Sequence, residues 1–265
     1  FFFLYNENHS LKDDMKLTLK WFELALLPTL VLILWALAAM WGTVSPILLP
    51  APSAVIDSAC GLIASGELWH HIVSSAKRTL SGFALAAVFG ILLAFLFSQS
   101  ARAKNLGYIL IEAMRVTPPL ALIPLLILWL GIEEAPKIAI VFLSSFFPIY
   151  LNALTAIESI EHKLKEVAKI LQFSRWEMFR LLTVPAALPG ILTGLRVGFG
   201  YSWRALVGAE LIAASTGLGF MISEAGEFSK TSVVFVGILT IVVIGVLADL
   251  LLSFLIKRFA KYFAM

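Results

Sequence analysis

A chain of 265 residues that is 60% hydrophobic and only 14% charged is not a soluble domain, which carries about 25% charged residues. Its formal charge of +3 is too small to argue for a nucleic-acid partner, and its one cysteine, Cys60, excludes an intrachain disulfide and a Cys-rich metal site. The composition is that of a polytopic membrane protein whose apolar surface is matched by lipid.

The first five residues, Phe1 to Tyr5, are too short for a signal-peptide core. The polar stretch from Asn6 to Lys20 holds no small-residue cleavage site. Residues 1–20 are therefore read as a cytoplasmic segment, in a sequence that does not open on Met. A spanning helix needs about 20 mostly apolar residues. Six segments qualify: Trp21–Trp41, Leu80–Phe97, Leu106–Leu130, Ile138–Ile157, Leu188–Ala214 and Val233–Ile256. Residues 21–256 thus form an all-α transmembrane domain, and 257–265 a cytoplasmic tail. Between the first two spans, Pro46, Pro50 and Pro52 mark turns, and the stretch to Ser75 then reads as a weak amphipathic helix on the outer side. Arg115 and Pro118-Pro119 interrupt the third span. Proline removes a backbone donor and kinks a helix, and in lipid the freed carbonyls need a neighbouring helix or a wet cavity. The break marks either a transport path or an interfacial helix joined to a short span.

Six spans put both ends on one side. Lys12, Lys16 and Lys20 precede the first span, and Arg102 and Lys104 follow the second. Lys163, Lys165, Lys169, Arg175 and Arg180 lie between the fourth and fifth, and Lys257, Arg258 and Lys261 follow the sixth. The opposite loops hold Lys77, Arg78, Lys137 and Lys230. Thirteen basic residues against four place both termini and the Lys163–Arg180 loop in the cytoplasm.

That loop, about residues 158–185, carries the sharpest signal. Glu158 to Gln172 reads as one helix, with Glu161 and Lys165 a favourable i,i+4 pair. Ser174-Arg175-Trp176-Glu177 has the form of a capping box, so a second short helix should begin there and stop before Pro185. Trp176 and Phe179 lie on one face and the charges on the other. Large apolar residues beside charges suit insertion into a groove on a partner protein.

Here the chain resembles the membrane subunits of bacterial ABC importers. Their loop carries E-A-A, three residues, G, nine residues, I, any, L-P. This sequence has Glu166-Val167-Ala168, then Gln172, then Leu182 and Val184-Pro185. Gln172 stands where the family has Gly and a sharp turn. The resemblance extends over residues 70–258. It includes Pro118-Pro119-Leu120-Ala121-Leu122-Ile123-Pro124-Leu125, Pro185-Ala186-Ala187-Leu188-Pro189, and Ala209-Glu210-Leu211-Ile212-Ala213 through Gly217-Leu218-Gly219. It points to the permeases for nitrate, sulfonate, taurine, bicarbonate and pyrimidine-type precursors, with sulfonate or taurine the first expectation.

The resemblance implies a type I importer fold and a permease that is not itself an enzyme. It implies two permease copies (a homodimer), two ATP-binding cassette ATPase subunits that bind the ATP and magnesium, and an extracytoplasmic solute-binding protein, all in the bacterial inner membrane. Consistently, no G-x-x-x-x-G-K-[ST] occurs. Glu166 would anchor the docked loop helix, Ala168 would let helix and cleft approach closely, and Pro185 would fix the exit into the fifth span. Within that span Arg204, Trp203 and Glu210 are candidates for the solute path. Arg204 could favour an anion, or pair with Glu210 of the second copy or with Glu112. Glu210 reads more naturally as structural, Arg196 as a residue reaching toward the cytoplasmic surface, and Asp249 as buried without an obvious partner. Small residues at Gly194, Gly198, Gly200, Ala187 and Ala205 read as core packing or a dimer seam. Two adjacent histidines point in different directions on a helix, so His70-His71 reads as interfacial and not as a metal pair.

Two other classes remain open. A membrane-embedded enzyme would need a nucleophile with its base, or metal ligands, at one depth; there is no H-E-x-x-H, and none of His9, His70, His71 and His162 falls in an expected span. An autonomous channel or secondary transporter would have no use for a docking loop.

Overall fold

The computed structural model describes residues 26–41 and 45–263. The expected cytoplasmic segment 1–20 and the start of the first expected span lie outside them. Of that span, helix α1 covers Leu26–Met40. The described residues form helices joined by short turns, with no strand among them, as suits a chain that satisfies its own backbone in lipid. Next, α2 (Pro52–Ala64) carries Pro at its first turn, where the missing N–H costs nothing. The single amphipathic helix expected up to Ser75 is in fact two. Gly66, at φ 79°, turns the chain, and α3 starts at Glu67 and runs to Ser98.

After α4 (Ala101–Val116) the third span breaks. Thr117 and Pro118 are extended, a 3-10 turn covers Pro119–Leu122, and α5 (Ile123–Leu130) leaves at 90° to α4. Next come α6 (Glu134–Glu158), the short loop helix α7 (His162–Ile170), and α8 (Arg175–Glu177). A π-helical turn, Met178–Thr183, joins α8 to α9 (Val184–Ala213). The chain closes with α10 (Leu218–Glu227) and α11 (Thr231–Phe263). Four segments are long and apolar enough to cross a membrane, α3, α6, Arg175–Ala213 and α11, and the bent α4–α5 pair makes a fifth.

The core is a three-helix layer with α6 between α3 and α9. Small residues set its spacing. A Cβ at Gly82 of α3 would come within 2.7 Å of Val141, and one at Gly198 of α9 within 2.6 Å of Ile149. Gly194 and Gly198 therefore serve core packing, as does Ala187. Gly200 instead faces the open side, where Arg204 is the one neighbour a Cβ would meet.

Candidate functional site

The loop between α6 and α9 is built differently from the sequence expectation in three respects. First, α6 ends at Glu158, and the loop helix starts only at His162. Its i,i+4 pair is therefore His162 with Glu166, at 3.2 Å, and not Glu161 with Lys165. Second, Gln172 keeps the sharp turn that the family makes with Gly. At φ 55° it is left-handed, and two bonds close the helix end: Phe173 N–H donates to Ala168 O at 3.0 Å and Gln172 N–H to Lys169 O at 2.9 Å. This is the six-to-one, five-to-two closure of a Schellman end, with a side chain where glycine is the easier occupant. Third, the helix opened at Ser174 does not stop before Pro185.

The capping box itself forms: Ser174 N–H donates to Glu177 Oε2 at 2.8 Å, and Glu177 N–H to Ser174 Oγ at 3.3 Å. The chain then runs on through the π-turn into α9, one helix from Arg175 to Ala213. Pro185 cannot donate, and its ring crowds the turn before it. The widened turn gives that room, and Thr183 Oγ1 donates to Met178 O at 3.1 Å.

The loop leaves a row of apolar side chains without a partner. Leu164, Val167 and Leu171 share one face of α7, with Ile170 beside them, and all four are exposed. Glu166 is half-exposed. Ala168, in contrast, is 3% exposed; the close approach it permits is inside the loop, where α7 meets the π-turn. Trp176 is exposed and stacks on Phe179 at 5.6 Å, while Phe179 meets Phe95 of α3 edge-on at 5.0 Å. Phe179 thus ties the loop to the bundle, and Trp176 alone of the two projects outward.

A second cluster escaped the sequence reading. Arg78, expected in an outer loop, is buried inside α3. Its Nε and Nη2 donate to the two oxygens of Glu134, at 2.5 and 2.8 Å. Its Nη1 donates to Glu210 Oε1 at 2.7 Å, and Thr216 takes two further bonds. Glu210 is fully buried and also accepts from Ser75 Oγ and from Gly219 N–H. Lys137, likewise expected in a loop, is buried and meets Glu134 at 3.1 Å. His71 is buried as well, not interfacial: its Nδ1 accepts from Gly217 N–H at 3.0 Å. The cluster joins α3, α6 and α9 to residues 216–219. It occupies Glu210 within its own copy, as a structural residue.

The bend of the third span opens a cavity of about 570 Å³ between α4, the 3-10 turn, α6 and α9. Phe147, Leu151 and Val197 form apolar wall; Thr117, Ser144 and Tyr201 bring hydroxyls; Arg115 and Arg204 bring charge. Arg115 is paired with Glu112, at 2.6 Å, so Glu112 does not serve Arg204. Arg204 lies with its guanidinium carbon 5.6 Å from the Tyr201 ring centroid. Trp203 is on the other side of α9: it is 8% exposed, and its Nε1 donates to Ile241 O of α11 at 3.2 Å. Of the three path candidates, only Arg204 reaches the cavity. Asp249, expected to be buried without a partner, is instead half-exposed and forms a bidentate pair with Arg196, at 2.8 and 2.6 Å.

The family described as the binding-protein-dependent transport system inner membrane component matches residues 86–261. The chain is 37% identical over 242 residues to a putative aliphatic sulfonates transport permease of Bacillus subtilis, covering 91% of this chain and 88% of that one. It is 36% identical over 237 residues to the taurine transport system permease of Escherichia coli, covering 88% and 86%. It is 31% identical over 216 residues to a nitrate import permease of Synechocystis, covering 78% of each. Among solved structures, it resembles an inward-facing MetNI methionine ABC transporter (TM-score 0.61, 17% identity, 74% of this chain and 95% of that one). It also resembles an amino acid ABC transporter crystallised with histidines (TM-score 0.62, 17% identity, 77% and 97%). With a matching loop, a broken span and a family match over most of its length, the chain belongs to the binding-protein-dependent transport system inner membrane components, the permeases of ABC importers.

Proposed function

We propose that this permease works as one of two copies in a bacterial inner membrane, with both termini cytoplasmic, and that two separate ATPase subunits drive it. The ATPases bind the ATP and magnesium. A solute-binding protein delivers a small anion from outside, an aliphatic sulfonate or taurine in the first instance, with nitrate, bicarbonate and a pyrimidine precursor next. The relatives' names support sulfonate, taurine and nitrate. The observation that carries the coupling is the exposed apolar row Leu164, Val167, Leu171 on a loop helix whose C-terminal end is closed by the Gln172 and Phe173 bonds and is followed at once by the Ser174 capping box. Such a row on a rigid amphipathic helix suits a groove in a partner, and Glu166 with His162 edges it. Val184 and Pro185 then pass its motion into α9 without a break in the helix. The solute path follows the cavity at the broken span, with Arg204 on its wall.

Purification from membranes tests this. A Val167→Asp change places a charge in the exposed row without touching the core. The ATPase should co-purify with the unchanged chain and be lost with Val167→Asp. Equal recovery with both, or solute uptake that survives removal of residues 162–180, would favour an autonomous transporter instead.

A further inference from the structure

Beyond Arg102 in the first turn of α4, three arginines lie on the exposed side of α4 and α9, and carboxylates neutralise two of them. Glu112 holds Arg115 at the cavity. Asp249 of α11 holds Arg196. Among the described residues, no carboxylate lies within ion-pair reach of Arg204. Arg196, Gly200 and Arg204 follow one another at i, i+4, i+8, so they form one stripe along α9, with Arg196 about 12 Å nearer the cytoplasmic end. Gly200 leaves the stripe open between them. Val197 extends the cavity wall to the level of Arg196. The Arg196–Asp249 pair is about half exposed, at 49% and 47%. Half-exposed charges inside a span face a wet path or a partner in preference to lipid.

Resting on the importer reading, we infer that Arg204 is the single anion contact of each copy and that Asp249 sets release, by cancelling the charge of Arg196 on the way to the cytoplasm. An anion in a narrow path must be held firmly enough to enter and weakly enough to leave. A bare guanidinium below Arg204 would hold the solute a second time. With Asp249 in place, that stretch is neutral and polar. Glu112 does the same for Arg115 on the cavity wall. Asp249 is thus a positioning residue: it acts on the solute only through Arg196.

The test uses the complex of this chain with its ATPase in nanodiscs, without binding protein, titrated with radiolabelled butanesulfonate; turnover is measured in proteoliposomes with binding protein present. Asp249→Asn should hold butanesulfonate about tenfold more tightly, since an uncompensated cation now faces the solute at close range at a half-exposed site, and should slow turnover. Arg196→Gln added to Asp249→Asn should return both values to near those of the unchanged complex. Arg204→Gln should abolish retention. A purely structural pair predicts the reverse: no tighter retention in Asp249→Asn and no rescue by the second change. Either result overturns the inference. Should Asp249→Asn fail to assemble, Glu112→Gln asks the same question at Arg115; tighter retention supports the inference and unchanged retention overturns it. Failure of the unchanged chain to assemble with an ATPase would sink the importer reading instead, and is seen before any titration.

Discussion

Removing the Arg78 side chain should be the most damaging single change in the described part of the chain. Arg78 donates five hydrogen bonds, to Glu134, Glu210 and Thr216. Without it, Glu134 keeps Lys137. Glu210 keeps only two neutral donors, Ser75 Oγ and Gly219 N–H, and its fully buried carboxylate loses its one counter-charge. Stranding one member of a buried pair costs about 3–5 kcal/mol, so Arg78→Met should destabilise by that amount. In a Glu210→Gln background no charge is left to strand, and the same change should cost about 2 kcal/mol less. Unfolding in detergent micelles by dodecyl sulfate, followed by tryptophan fluorescence, gives all four corners of the cycle. Trp203, buried against α11, reports on the same region. Equal cost of Arg78→Met in both backgrounds would refute the reasoning, because the pair would then not be coupled.

Three further outcomes follow from local geometry. Gln172→Gly removes the side chain from a left-handed position and should stabilise the loop turn by about 1 kcal/mol, seen as slower amide exchange at Gln172 and Phe173. Ser174→Ala deletes the acceptor for Glu177 N–H and should cost about 1 kcal/mol, with faster exchange over residues 175–177 and weaker recovery of the ATPase. Gly217 stands at φ 117°, and a Cβ there would overlap the Glu210 carboxylate. Gly217→Ala should therefore cost more than about 1 kcal/mol, measured in the same unfolding assay.

The apolar windows were legible because lipid imposes them residue by residue: three expected spans fall inside α3, α6 and α11, and a fourth overruns α9 by Ala214 alone. The ends were not legible, since a helix runs past its lipid-facing window wherever its neighbours still satisfy it. This is how Arg78, His71 and Lys137 came to read as loop residues. Their polarity suggested water, whereas Arg78 and His71 meet Glu210 and residues 216–217, more than 130 positions away in sequence, only in the fold, and Lys137 is buried beside Glu134, which Arg78 also holds. The pairing of Arg196 with Asp249 was hidden in the same way. In the loop, the capping box could be read from four consecutive residues, since every bond it makes is local. The continuity through Pro185 could not: proline ordinarily ends a helix, and only the π-turn before it, held in part by Thr183, absorbs the missing donor. The left-handed Gln172 was equally out of reach, because its conformation is set by the two ends it joins and not by its own preference.

The unbroken helix from Arg175 to Ala213 has a mechanical consequence. Its 39 residues make a rod about 58 Å long, with Trp176 at one tip and the anchor of Glu210 near the other. Under the proposed coupling, a push on the tip would need no relay of side chains to arrive at the cavity; it would be delivered as rotation of a lever. The fulcrum is the glycine-lined crossing with α6, and the π-turn, a joint of irregular winding, lies between the handle and the fulcrum. Stroke at the far end is therefore set by the stiffness of six residues, Met178 to Thr183, and shortening that turn to a regular α-turn would rotate the whole handle relative to the arm.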